Sequence, residues 1–191
     1  MVDQVQEPKK IKIKKLKKVD NKFKFIDLFA GTGAFTLALE KSNKFKCVFT
    51  NDMMECSKKI YELNNPTHTF TLKDLNTINV SDIPSHNLLC GGFPCQDYSV
   101  ARTSASGLEG KKGVLWWEIL RIITDKRPKY VILENVDRLL KSPTSQRGRD
   151  FAVMLASLNE LDYAVEWRVI NAADYGMPQR RRRVFILAYA A

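Results

Sequence analysis

Cys95 follows Pro94 in the run Gly92-Phe93-Pro94-Cys95-Gln96, directly after an apolar stretch at 87–92. A cysteine presented in a loop behind a strand is placed as a nucleophile, provided its surroundings are polarised enough to favour the thiolate. Glu134-Asn135-Val136 closes a second apolar stretch, 130–136. A carboxyl group at such a strand end, removed from water, would serve as a general acid. Gln179-Arg180-Arg181-Arg182-Arg183 precedes the last apolar run. Strand alternation would put Arg181 and Arg183 on one face, with Arg180 and Arg182 on the other. One such pair could hold an anion or a base oxygen.

A second constellation has the chemistry of a nucleotide pocket. Asp27-Leu28-Phe29-Ala30-Gly31-Thr32-Gly33 reads as a strand ending in a glycine turn that opens a helix, where backbone can approach a ligand closely. The dinucleotide pattern GxGxxG is not met, because Thr36 stands where its third glycine would be, which argues against NAD or FAD. Asp52 follows at the end of the next strand, placed to accept hydrogen bonds from a ribose diol. Asp74, at the end of a third, could face an adenine amino group. Taken singly, each feature has a plain structural reading: a tight turn, a buried loop thiol, a helix cap, a solvated basic patch.

The elements that must position these residues alternate. Strands are expected at 23–30, 47–51, 69–73, 87–92, 130–136, 164–171 and 183–189. Helices are expected at 34–41, 53–63, 114–125 and 147–161. Such alternation argues for an α/β fold, a mostly parallel sheet with helices on both faces. Residues 97–113 form a Ser/Gly/Lys loop longer than most connections in compact domains, which points to function. Residues 1–22 form a Lys-rich lead segment, expected to be mobile or loosely docked, and 23–191 the folded domain.

Composition bounds the rest. The chain has 191 residues, 45% of them hydrophobic, enough to bury a core. Its apolar runs, such as 130–133 and 184–188, fall far short of the roughly 20 residues that cross a bilayer. With no apolar leader after the start Met, a soluble cytoplasmic protein is expected. The net charge of +10 comes mostly from the first 24 residues, which hold nine Lys against Asp3, Glu7 and Asp20. A polyanionic partner, nucleic acid before a membrane surface, is implied. Cys47, Cys56, Cys90 and Cys95 form no CxxC pair and only two His accompany them, so no metal site is expected. The first three are read as core-filling thiols.

Together these motifs resemble the DNA (cytosine-5) methyltransferase family. The likeness runs from about Phe23 to Tyr189. It rests on an ordered set: Asp27 through Gly33, Asp52, Asp74, Phe93-Pro94-Cys95-Gln96, Leu115, Glu134-Asn135-Val136, Asn171 through Gly176, and Gln179-x-Arg181-x-Arg183. The resemblance implies a Rossmann-like, S-adenosylmethionine-dependent methyltransferase fold whose last strand is antiparallel. It implies methyl transfer to C5 of a flipped-out cytosine in double-stranded DNA, with S-adenosylhomocysteine as the other product. Cys95 would add to C6, Glu134 would hold N3 and the amino group, and Arg181 and Arg183 would support the base and the catalytic loop. Phe29, Gly31, Thr32, Gly33, Asp52, Met53, Asp74, Leu75, Pro94 and Leu115 would line the methyl-donor pocket. Gln96, Ser99, Arg102, Lys111 and Lys112 are the expected lid and phosphate clamp.

Two positions depart from the family pattern: Met53 where an aromatic residue often follows the ribose-binding acid, and Ala34 where a further glycine is common. In the family a target-recognition domain and closing motifs follow the last strand. Their absence from these 191 residues leads to the expectation of either a truncation or, preferred, one subunit of a split prokaryotic enzyme of restriction–modification type, with a second polypeptide carrying the rest. An RNA cytosine-5 methyltransferase and a non-catalytic DNA-binding or regulatory subunit stay open as alternatives.

Overall fold

A computed structural model describes residues 22–94, 115–141 and 147–190. Residues 1–21 of the lead segment, and Cys95, Gln96, Ser99, Arg102, Lys111 and Lys112, lie outside the described residues. Strands β1 (Phe23–Leu28), β2 (Phe45–Asp52), β3 (Phe70–Leu72), β4 (Leu88–Gly91), β5 (Tyr130–Val136), β6 (Tyr163–Asn171) and β7 (Arg182–Ala190) form one sheet. Helices α1 (Ala34–Glu40), α2 (Glu55–Asn64), α3 (Leu115–Lys126) and α4 (Arg149–Glu160) pack on it. The strand order is β3-β2-β1-β4-β5-β7-β6. Neighbours from β3 through β5 are parallel, and β7 runs antiparallel to both β5 and β6.

This order follows from what each segment must bury. β1 and β4 sit mid-sheet and are covered on both faces, so they read as nearly continuous apolar runs rather than alternating ones. α3 buries Trp116, Ile119, Ile122 and Ile123, the spacing of one helical face. That face packs with Ile26, Leu28, Leu89, Val131, Leu133, Val184 and Ile186. Each such side chain removed from water contributes about 1.5–3 kcal/mol. On the opposite face, Phe35 and Leu39 of α1 cover Phe25, Leu88 and Cys90. After β1 the chain crosses to β2 on one side, and β4 then pairs with β1 on the other. The carboxyl ends of β1 and β4 therefore part into a crevice, the usual ligand position in open α/β sheets.

Several elements differ from expectation in instructive ways. β3 ends at Leu72, so Asp74 caps a 3-10 turn, Leu75–Thr77, instead of ending a strand. The 3-10 turns Val80–Asp82, Asp137–Lys141 and Ala172–Tyr175 fall where loops were expected, because single turns carry no hydrophobic period. Cys56 is exposed on the first turn of α2 and fills no core, whereas Cys90 is buried and Cys47 half-buried; all three are free thiols. Among the described residues, no helix is long and apolar enough to cross a membrane.

A buried polar network lies between β1, α1 and α2. Asp27, fully buried, accepts at Oδ2 from the Thr36 backbone N–H at 3.2 Å and from its hydroxyl at 2.7 Å. The Tyr61 hydroxyl donates to Thr36 Oγ1 at 3.2 Å and lies 2.9 Å from Thr50 Oγ1 and 3.0 Å from His68 Nδ1. His68 in turn faces Glu40 at 3.3 Å. Burial pushes the Asp27 carboxyl up to about 7, with the hydrogen bonds from Thr36 opposing and the Asp52 charge reinforcing the rise.

Its folded form therefore keeps the proton to higher pH than the unfolded chain does. The stabilisation is full below the ordinary carboxylate value of 3.8 and is lost as pH rises through about 7. Asp27→Asn, which cannot ionise, should remove this loss. In urea unfolding, the variant's stability relative to wild type should improve between about pH 4 and about pH 8. A difference that stays constant over that range would contradict the assignment.

Candidate active site

The glycine turn at the end of β1 forms one wall of the crevice. Phe29 and Gly31 both have φ of 54°, and Gly33, the N-cap of α1, has φ of 90°. A non-glycine residue in the left-handed region, here Phe29, is held there by its surroundings. The Ala30 N–H donates to Asn51 O at 3.0 Å and the Gly33 N–H to Ala30 O at 2.8 Å. A Cβ on Gly31 would meet nothing within 4 Å, so the backbone there faces open space. A Cβ on Gly33 would come within 2.9 Å of the Tyr61 ring and 3.2 Å of Asn65 Nδ2. Gly31 is thus bare toward the crevice, and Gly33 is bare toward the protein.

Asp52, at the end of β2, accepts from the Gly31 N–H at Oδ2 and from the Met54 N–H at Oδ1, each at 2.9 Å. These bonds fix the carboxylate while leaving each oxygen a further lone pair for a ligand hydroxyl. Met53 beside it is 66% exposed, and Met54 is exposed too. Beyond β3, Asp74 uses its carboxylate to cap its own turn, accepting from the Asn76 N–H at 3.0 Å. Leu75 is buried under that turn. Leu115, partly buried, opens α3.

On the β4 side, Phe93 is buried and Pro94 exposed, one residue before Cys95. Asn135, buried at the end of β5, donates from Nδ2 to Phe93 O at 2.9 Å, and its Oδ1 accepts from the Val136 N–H at 2.8 Å. Glu134 accepts at Oε1 from Arg183 Nε at 2.8 Å. The partners belong to adjacent antiparallel strands: Glu134 faces Phe185 in the ladder, and Arg183 lies two residues along on the same face. A Cβ on Gly92 would stand 3.3 Å from Glu134 Oε2, so this carboxylate lies against the chain leading to Cys95.

Two expectations change. The Glu134 and Arg183 side chains are each 24% exposed, so among the described residues Glu134 is paired and not removed from water. β7 begins at Arg182, so Arg181 stands before the strand and alternation does not govern it. Its carbonyl accepts from the Ala172 N–H at 2.9 Å and its side chain is exposed. Arg183 meets Glu134, while Arg182 pairs with Asp137 at 3.1 Å. Sequence reasoning missed Asp27, Asn51, Arg121 and the tie from Asn135 to Phe93. A buried Asn at a strand end was the one available signal for the last.

Residues 23–191 match the family described as C-5 cytosine-specific DNA methylase. The chain belongs to that family. Its relatives include the type II methyltransferase M.Sau3AI of Staphylococcus aureus, 53% identical over 181 residues. M.HhaI of Haemophilus parahaemolyticus is 38% identical over 169 residues. These matches cover 88% and 87% of this chain but 44% and 49% of the relatives, so the chain spans about half their length. The fold is also that of Spodoptera frugiperda DNMT2, with a TM-score of 0.71 at 17% identity over 88% of this chain and 50% of the other. A putative DNA modification methyltransferase from an E. coli prophage gives 0.70 at 21% identity over 88% and 47%.

The two glycines of the turn make different demands. Gly33→Ala should destabilise more than Gly31→Ala, because both incur the left-handed penalty of about 1 kcal/mol but only the former also displaces Tyr61. Urea unfolding of the two variants checks this. Equal losses would mean that Tyr61 gives way freely.

Proposed function

We propose that this chain is the catalytic part of an enzyme that methylates C5 of cytosine in double-stranded DNA, with S-adenosylmethionine as donor. The observation that carries the reading is the Glu134–Arg183 pair, seated against Gly92 on the segment that leads to Cys95, across the crevice from the glycine turn and Asp52. The residues present fit the donor. Asp52 has lone pairs for a ribose diol, Gly31 leaves open space, and Phe29, Thr32, Gly33, Met53, Asp74, Leu75, Pro94 and Leu115 would complete the pocket. When bound, the donor supplies a sulfonium methyl group, electrophilic enough for transfer to carbon.

The chemistry explains why these residues are needed. C5 of cytosine is a weak nucleophile because the ring is electron-poor. The Cys95 thiolate forms a bond to C6, and the displaced electron pair makes C5 enamine-like. Glu134 passes a proton to N3 as charge builds there and accepts from the exocyclic amino group. Arg183 holds Oε1 and so fixes which way the carboxylate points, and Arg181 supports the base oxygen or the loop. After methylation a base removes the C5 proton and the C6–S bond breaks, returning Cys95. The target carbon is shielded in a stacked duplex, so the base must be flipped out, at a cost of a few kcal/mol. Gln96, Ser99, Arg102, Lys111 and Lys112 would clamp the phosphates and close over it.

We infer further that sequence reading belongs to the part of the relatives this chain does not span, whether joined to it or supplied as a second polypeptide. The sheet edge β6 and the exposed Leu187, on the face of β7 turned away from α4, offer apolar surface to such a segment.

The test is transfer of labelled methyl to duplex DNA, by the chain alone and completed by that segment. Cys95→Ser should abolish transfer. Glu134→Gln should slow it by about a hundredfold or more while leaving S-adenosylhomocysteine binding intact. Transfer that survives Cys95→Ser, or methyl groups found on transfer RNA and not on DNA, would overturn the reading.

A further inference from the structure

Asp74 and Leu75 sit in a 3-10 turn that no strand ladder supports. The bonds within it set its shape: the Thr77 N–H and hydroxyl both donate to Asp74 O, at 2.9 and 2.8 Å, and Asp74 Oδ1 accepts from the Asn76 N–H. None of these sets its position relative to Asp52. The backbone ties the entry there, where the Lys73 N–H donates to Asp52 O at 3.2 Å. Two side chains from other elements add to that tie and hold the exit. Asn51, buried next to Asp52 on β2, donates from Nδ2 to Thr71 O at 3.0 Å and to Lys73 O at 2.8 Å. Arg121 on α3 reaches the other end of the turn, where Nη2 donates to Leu75 O and Ile78 O, both at 3.2 Å. Glu118, one helical turn earlier, holds the guanidinium by Nε at 2.8 Å and Nη2 at 2.7 Å.

We propose that Asn51 and Arg121 form a two-point clamp that positions the Asp74-Leu75 turn against Asp52 and so sets affinity for the adenosine part of the methyl donor. This rests on the reading of Asp52, Asp74 and Leu75 as donor-pocket residues. The clamp is directional. Asn51 ties the turn's entry to the strand that carries Asp52, and Arg121 ties its exit to the helix that begins with Leu115. Three pocket walls are thereby linked through side chains that touch no ligand. Arg suits the second tie because its planar fork can reach two carbonyls and a carboxylate together, which a lysine ammonium cannot do with the same fixed geometry. Glu118 fixes that fork, so Arg121 acts as a positioning residue and not a catalytic one.

Arg121 carries the test, because its side chain is 35% exposed and its removal opens no hole in the core. The chain is titrated calorimetrically with S-adenosylhomocysteine and with 5′-methylthioadenosine, which share the adenosine part. Arg121→Met should weaken both ligands by the same factor, about tenfold, as expected for loss of a charge-assisted hydrogen bond. Arg121→Lys should recover part of the loss, and amide exchange at Leu75–Ile78 should quicken in Arg121→Met while that of β1 stays unchanged. Wild-type affinity in Arg121→Met, or a loss confined to S-adenosylhomocysteine, would overturn the clamp. If Arg121→Met does not fold, Arg121→Lys decides, and unaltered affinity there is the contrary result. Wild-type protein that binds neither ligand would overturn the donor-pocket reading itself, and the clamp with it.

Discussion

Once β1 leaves the sheet at Leu28, its next backbone groups have no ladder to join, and they must find partners without closing the crevice. The end of β2 supplies them: Asn51 O accepts from the Ala30 N–H and Asp52 Oδ2 from the Gly31 N–H. These two bonds hold the turn open in left-handed conformation, which a glycine at 31 permits at no steric cost. Much else follows from them. α1 can start at Ala34 only because the turn reverses there, and Thr36 on its first turn then reaches the buried Asp27. Tyr61 can lie under Gly33 only because that residue has no side chain. The site's left wall is thus set by backbone hydrogen bonding, with packing added around it.

The right wall is set differently. Glu134 and Arg183 are brought together by antiparallel pairing of β5 with β7, an arrangement a wholly parallel sheet could not give at this edge. A partly exposed ion pair of this kind contributes about 0–1 kcal/mol to stability, so its value lies in orientation. Asn135 adds the complementary constraint, tying β5 to the carbonyl of Phe93 just before the cysteine. One strand therefore presents both the carboxylate and the brace for the segment that leads to Cys95. The fold joins these two walls where the strand order turns from β1 to β4.

Much of this was legible in the chain. β5 was read from 130 to 136 and is found over those residues, because a run such as Tyr-Val-Ile-Leu bounded by polar residues fits little but a buried strand. The glycine turn and the strand-end positions of Asp52 and Glu134 were legible because each closes a short apolar run. What escaped were contacts between distant segments. Arg121 looks like an ordinary solvent-facing helix residue, yet it reaches carbonyls more than 40 positions earlier. Asp27 reads as part of a motif, and nothing local says that Thr36 will bury and bind it. Cys56 was read as core from its type alone, and one turn of helix phase turned it to solvent. Single 3-10 turns leave no periodic trace at all.

On the proposed mechanism, Cys95 forms a covalent bond to the cytosine ring during methyl transfer. A duplex carrying 5-fluorocytosine tests it directly, since fluorine at C5 cannot leave as a proton does and the adduct cannot resolve. Incubated with S-adenosylmethionine and the chain, completed where necessary by the segment its relatives add, such DNA should yield a protein–DNA species that survives denaturation. Digestion and mass measurement should place the bond on the peptide containing Cys95. A bond on any other residue, or methyl transfer to ordinary cytosine with no trapped species on the fluorinated duplex, would contradict the account.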